Sequence, residues 1–207
     1  MYISSVLFSC ALVFITVTAQ QERKAIAVVR SVGSDGIKGN ITFTQTRSGV
    51  LISGTIAGLS KGHHGFHIHE KGDLSNGCVS TGGHFNPDKK NHGSPSDKER
   101  HVGDLGNIEA NDLGVAVFNY TDERISLINT KRNILGRAVV VHADRDDLGR
   151  GGETDSLTTG HAGGRLACGV IGTLSMADSG AFPTSIINRN LSVIALAFVL
   201  LMGRYFQ

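Results

Sequence analysis

Short stretches rich in β-branched and apolar side chains recur at 24–30, 40–45, 50–57, 64–70, 104–109, 115–120, 136–142 and 166–173, each bounded by Gly, Asn or Asp. Runs of this length between turn-forming residues predict strands, and this spacing predicts an all-β sandwich or barrel of eight strands. No apolar period of 3.6 residues runs long enough to build a core helix. Two long stretches, about 71–103 and 143–165, fall outside the predicted strands and hold many of the His, Asp and Gly residues. Loops beyond ~12–15 residues without structure of their own are usually functional or disordered, so these two are where chemistry is expected.

The two ends follow a different pattern. Residues 1–19 carry no charged side chain, and an apolar run closes on Val17-Thr18-Ala19, a small-residue pattern suited to signal peptidase. A secretory signal peptide over 1–19 is the expectation. At the other end Leu191 to Gly203 is almost wholly apolar, about 20 Å as a helix against a hydrocarbon core of roughly 30 Å. Small residues at 178–181 and a spacer through Asn190 precede it, the order expected of a signal for a glycolipid anchor, with a short membrane tail as the alternative. The functional domain is therefore expected over 20–178, with 179–207 as spacer and tail.

Composition narrows the partners. The chain has 20 Lys+Arg against 18 Asp+Glu, and with Arg189 and Arg204 outside it the 20–178 region has no formal net charge. Binding through neutralised phosphates is not expected, so nucleic acid is excluded as a partner. All nine His lie in that region. In an oxidising compartment Cys78 and Cys168, the pair left once Cys10 goes with the leader, are expected to form a disulfide. Asn40-Ile41-Thr42 and Asn119-Tyr120-Thr121 fit the acceptor pattern for N-glycans, which predicts a glycoprotein.

The histidines carry the chemistry. In Gly65-Phe66-His67-Ile68-His69-Glu70 two imidazoles stand two apart on a predicted strand and project from one face, where both can grip one ion. His84, His92, His101 and Asp104 follow in the first long loop, and His142 ends the strand Val139-Val140-Val141. Clustered imidazole suits copper and zinc. Seven donors exceed the needs of one tetrahedral ion. His92, His101 and Asp104, with His84, can close around zinc, while His67, His69 and His142 at strand ends can hold an open copper position, one histidine being shared.

Together with Gly83-His84-Phe85-Asn86-Pro87, Arg100-His101-Val102-Gly103-Asp104-Leu105-Gly106, Val141-His142-Ala143-Asp144-Arg145-Asp146-Asp147-Leu148-Gly149 and Gly163-Gly164-Arg165-Leu166-Ala167-Cys168-Gly169, the His67 motif resembles the copper/zinc superoxide dismutase family, in order, over about 24–173. The resemblance implies a Greek-key barrel and disproportionation of superoxide. It implies copper on His67, His69, His84 and His142, zinc on His84, His92, His101 and Asp104, and His84 as the bridge, with one ion of each kind per chain. It makes Asp146 the carboxylate that ties His67 to His92, Arg165 the guanidinium beside the copper, and Cys78–Cys168 the intrasubunit disulfide. His64 is expected to make a structural hydrogen bond, His63 to be solvated and His161 to lie at the surface. Thr158 stands where many members carry Lys, which weakens steering of the anion unless Arg150 or Lys90 compensates. Ile134-Leu135-Gly136 and Val170-Ile171-Gly172 occupy apolar positions that suggest a homodimer, with a tetramer as the alternative. A noncatalytic metal-binding relative would lose ligands or the guanidinium, and a zinc hydrolase would need an open zinc; this chain keeps every ligand and offers four to the zinc.

Overall fold

A computed structural model describes residues 23–174 apart from positions 32, 34 and 35, so the expected leader and apolar tail lie outside the described residues. The strands are β1 (Lys24–Ser31), β2 (Lys38–Gln45), β3 (Val50–Ala57), β4 (Gly62–His69), β5 (Ser75–Cys78), β6 (Asp104–Ala110), β7 (Val115–Asp122), β8 (Ala138–His142) and β9 (Arg165–Thr173). Eight of them close into an antiparallel barrel in the order β1-β2-β3-β7-β6-β4-β8-β9. Closure is uneven. β3 runs beside β7 from Val50↔Asp122 to Ala57↔Val115, whereas β6 meets β7 only at Ala110↔Ala116.

Alternation explains most of the wall. Ala25, Ala27 and Val29 of β1, Ile41 and Phe43 of β2, and Val50, Ile52 and Ile56 of β3 point inward and are buried, with half-buried or exposed residues between them. Each of the Val, Ile and Phe side chains among them contributes about 1.5–3 kcal/mol. β8 is buried on both faces. Its Val139 and Val141 join the barrel core, while Val140 packs outside against the Cys78–Cys168 disulfide. That disulfide staples the first long loop to β9, as expected.

β4 is likewise covered on both faces from His64 onward. A register shift between Gly65 and His67 interrupts its pairing with β6, and Phe66 and Ile68 enter the core while His67 and His69 lie beneath the long loops. The metal-ligand candidates therefore sit on the outer wall of the barrel, roofed by loop. Two short elements were not predicted. β5 has no β-branched residue and leads through a 3₁₀ turn (Val79–Thr81), and a four-residue helix α1 (Ser156–Thr159) lies in the second loop.

Candidate metal centre

The loop that carries His84 is laced to β4. Phe85 N–H donates to the Ile68 carbonyl at 2.8 Å, Glu70 N–H to Gly83 at 2.9 Å, and His84 pairs with His69 in a β-bridge. His67, His69, His84 and His142 consequently bring one nitrogen each within 4.8 Å of the others, and so do the donors of His84, His92, His101 and Asp104. All these side chains are buried. The structure brings together every ligand that the sequence nominated.

Hydrogen bonds decide which nitrogens face the centre. His69 Nδ1 lies 2.8 Å from the Gly82 carbonyl, His142 Nδ1 3.2 Å from that of Gly163, and His67 Nε2 2.8 Å from Asp146 Oδ2. Each outer nitrogen is thus set as the donor, leaving His69 Nε2, His142 Nε2 and His67 Nδ1 turned inward. His67 Nδ1 and His84 Nε2 are buried with no hydrogen-bond partner. Unpaired polar atoms in the interior cost about 1–3 kcal/mol each, and four inward imidazole nitrogens are the donor set copper takes.

On the opposite side of His84 three imidazoles crowd one oxygen. The Nδ1 atoms of His84, His92 and His101 lie 2.9, 3.0 and 3.0 Å from Asp104 Oδ1. A divalent cation held among them satisfies all four at once, and three nitrogens with one carboxylate form a closed zinc set. Asp104 is held ready by the N–H groups of His101 and Gly93, which donate to Oδ2 at 2.7 and 3.2 Å.

The electrostatics follow the geometry. Burial, reinforced by neighbouring imidazoles, pushes His67, His69 and His84 below the ordinary imidazole range and brings His142 down to about 4. These rings are kept neutral, the state in which they ligate. Burial also acts against the charged form of His92, but its bonds to Asp104 and Asp146 outweigh that and lift it to about 9. Asp146 and Asp104 are buried, yet their histidine partners hold both below the usual carboxylate range.

Asp146 spans the two sites: Oδ2 takes His67 Nε2 and Oδ1 takes His92 Nε2 at 2.9 Å. Two contacts that the sequence did not reveal fix it. Asn107 Nδ2 donates to the Asp146 carbonyl at 2.9 Å and Asn107 Oδ1 accepts the Asp146 N–H at 2.8 Å. Gly160, at φ +68°, leaves the space: a Cβ there would collide with Asp146 Oδ1 and His92 Nε2.

Arg165 is half-buried, and Nη1 takes all of its bonds to protein: to Cys78 O (2.7 Å), Val79 O (3.2 Å) and Thr81 Oγ1 (3.0 Å). Thr81 Oγ1 in turn lies 3.1 Å from His69 Nδ1, so the guanidinium is coupled to a candidate ligand. The missed residues Thr81 and Asn107 act across 84 and 39 positions of chain, and no local pattern marks them. Buried Arg100 was missed likewise. It pairs with Asp122 at 2.6 Å and donates to the Asp104 carbonyl, supporting the zinc-side loop.

The remaining histidines behave as expected. His64 is buried, with Nδ1 2.8 Å from the His142 carbonyl and Nε2 2.9 Å from that of Ser60, while His63 and His161 are exposed. His161 pairs with Asp155 at 2.7 Å. The cations named as substitutes for Lys at 158 are engaged elsewhere, Arg150 with Asp97 and Lys90 with Glu99.

Comparison with known proteins decides the family. Residues 37–171 match the model for copper/zinc superoxide dismutase. The chain belongs to the copper/zinc superoxide dismutase family. It is 57% identical over 150 residues to superoxide dismutase [Cu-Zn] A of Xenopus laevis, covering 72% of this chain and 97% of that one. It is 59% identical over 138 residues to the extracellular superoxide dismutase [Cu-Zn] of Drosophila melanogaster, covering 66% of this chain and 76% of that one. The crystal structure of the clock protein EA4 superposes with a TM-score of 0.69 at 53% identity, covering 73% of this chain and 94% of the other. Copper and zinc are the cofactors that the family and these donor sets specify.

Proposed function

We propose that this chain is a secreted copper/zinc superoxide dismutase: two superoxide anions and two protons become dioxygen and hydrogen peroxide. The observation that carries the proposal is the sharing of His84, whose Nε2 joins the inward nitrogens of His67, His69 and His142 while its Nδ1 joins His92, His101 and Asp104. When bound, copper supplies the one-electron couple that oxidises one superoxide and reduces the next, while zinc is redox-silent.

The chain's own residues do the rest. Arg165, anchored through Nη1, offers the remaining guanidinium edge to the anion, a permanent cation that steers and docks it. His84 Nε2 is the atom placed to hold a proton for the product. Asp146 orients His67 and His92 and so sets the distance between the two sites. The experiment is superoxide decay with the chain loaded with both metals; no acceleration refutes the reading, and metal analysis should return one copper and one zinc per chain.

Residues 1–19 act as the leader in this reading, 20–178 as the enzyme and 179–207 as the segment exchanged for a lipid anchor. The disulfide of an oxidising compartment and the similarity to an extracellular relative support secretion. Asn40 and Asn119 make the product a glycoprotein. A homodimer is proposed on the face holding Leu135 and Val170, which is 38% exposed; Ile134 and Ile171 lie inside the barrel and contribute nothing to that face.

A further inference from the structure

Thr81 ends the 3₁₀ turn and is completely buried, where a hydroxyl is costly unless it is bonded. Its main chain is fixed on both sides. Cys78, covalently tied to Cys168, opens the turn, and the Thr81 carbonyl accepts the Lys71 N–H at 3.0 Å just past the end of β4. The hydroxyl is thereby held at one spot, between Arg165 and His69.

The hydroxyl proton is already committed. Thr81 Oγ1 donates to the Cys78 carbonyl at 2.8 Å, which uses the only hydrogen it has. Toward its other two neighbours it can only accept: Arg165 Nη1 donates to it at 3.0 Å, and His69 Nδ1, whose hydrogen also faces the Gly82 carbonyl, lies 3.1 Å away. A hydroxyl offers one donor and two lone pairs, and here all three are taken. Arg165 Nη1 also reaches the Cys78 and Val79 carbonyls, while Nε and Nη2 take no bond to protein among the described residues.

We infer that the Thr81 hydroxyl is a positioning group for the dismutase reaction, holding the Arg165 guanidinium at a fixed setting against the His69 ring. The two carbonyls restrain Nη1 without reference to the metal donors. The hydroxyl is the acceptor that the guanidinium shares with His69, so it ties the cation that docks the anion to a ring whose Nε2 belongs to the copper donor set. The inference rests on the dismutase reading, because there the setting of Arg165 against a copper ligand decides how the anion is presented.

The test is Thr81→Val in the full chain loaded with copper and zinc, a change that keeps the branched shape and removes the hydroxyl. Azide, a small anion that binds copper and is followed by absorption, is the probe. Its affinity should fall about three- to tenfold, and kcat/KM at low ionic strength should fall with it, since a hydrogen bond to a charged group is lost while two others remain. Thr81→Ser restores the hydroxyl and should bring both back. In an Arg165→Gln background Thr81→Val should alter azide affinity no further, because its effect runs through the guanidinium. In the zinc-loaded, copper-free chain, nitrogen relaxation should show the Arg165 guanidinium loosened by Thr81→Val; should that variant fail to fold, Thr81→Ala carries the same comparisons. Azide affinity untouched by loss of the hydroxyl, an equal loss in Thr81→Ser, or an equal loss in the Arg165→Gln background overturns the inference. A natural chain that fails to accelerate superoxide decay overturns the dismutase reading instead, and azide titration with guanidinium relaxation then decides separately whether Thr81 holds Arg165.

Discussion

Replacing both Cys78 and Cys168 with Ala isolates what the covalent staple contributes. The bond closes a sequence separation of 90 residues, and a loop of that length removes about 4.6 kcal/mol of entropy from the unfolded chain. Alanine puts no hydroxyl into the apolar spot beside Val140, so the loss falls chiefly on the unfolded side. Against a typical stability of about 5–15 kcal/mol this is a large share. It corresponds to a drop of about 10–15 °C in melting temperature for a domain of this size. The assay is urea unfolding of metal-free protein without reductant, which keeps the transition free of metal linkage. A second readout comes from the Cys78 carbonyl, which accepts from Arg165 Nη1: once the loop is unstapled the guanidinium loses a fixed anchor, and turnover of the reloaded variant at low ionic strength should fall. Destabilisation below about 1 kcal/mol would show that the loop is held by its other contacts and would refute the entropic reasoning.

Arg165→Ile should slow turnover by on the order of tenfold at low salt and flatten its dependence on ionic strength; an unchanged salt slope removes Arg165 from steering. Asp146→Asn keeps the shape but weakens the grip on His67 and His92, and chelator competition should show copper and zinc affinity falling about 10–100-fold; unaltered affinity for both metals contradicts the bridging role. Asp122→Ala strands the buried Arg100 without its carboxylate and should cost about 3–5 kcal/mol in urea unfolding, with a loss under about 1 kcal/mol as the contrary result. For metal-free protein, His142 is brought down from 6.5 to about 4, first by burial, so between those values the unfolded chain binds more protons. Stability therefore drops by up to about 3 kcal/mol as pH falls through that window. His92, lifted from 6.5 to about 9, acts in the opposite sense: its contribution is lost as pH rises toward 9. Denaturation profiles should peak near pH 6.5, and a flat profile would count against these neutral buried rings.

Much of this architecture is legible in the sequence. β-branched runs between turn residues mark the strands because a half-buried pleated surface selects such side chains, and all eight barrel strands fall where they were expected. The ligands were legible because imidazoles repeated at two-residue spacing, and within motifs similar to a known family, are rare by accident. What stayed hidden is long-range or local without pattern. Asn107 of β6 grips Asp146 in the second long loop, Thr81 links Arg165 to His69, and neither residue type advertises a role. β5 is held by a covalent bond rather than by propensity, and α1 is too short for any periodicity to register. Ile134 and Ile171 show the limit of reading a surface from apolar letters, since both turned out to line the interior.

β6 and β7 share one ladder pair, Ala110↔Ala116, which makes this the seam of the barrel with the least main-chain pairing. Past that pair the two staves are joined through side chains: the Tyr120 hydroxyl donates to the Leu105 carbonyl at 3.4 Å, and Arg100 spans from the Asp104 carbonyl to the Asp122 carboxylate. With the fewest main-chain hydrogen bonds to break, this seam should be the first to open under thermal or mechanical stress, which amide exchange of β6 and β7 would show. The split frees two strand margins whose amides and carbonyls then seek new mates. Damaged copies would therefore zip together along β6 and β7, and a cross-link across that gap is the simplest way to lengthen the protein's working life.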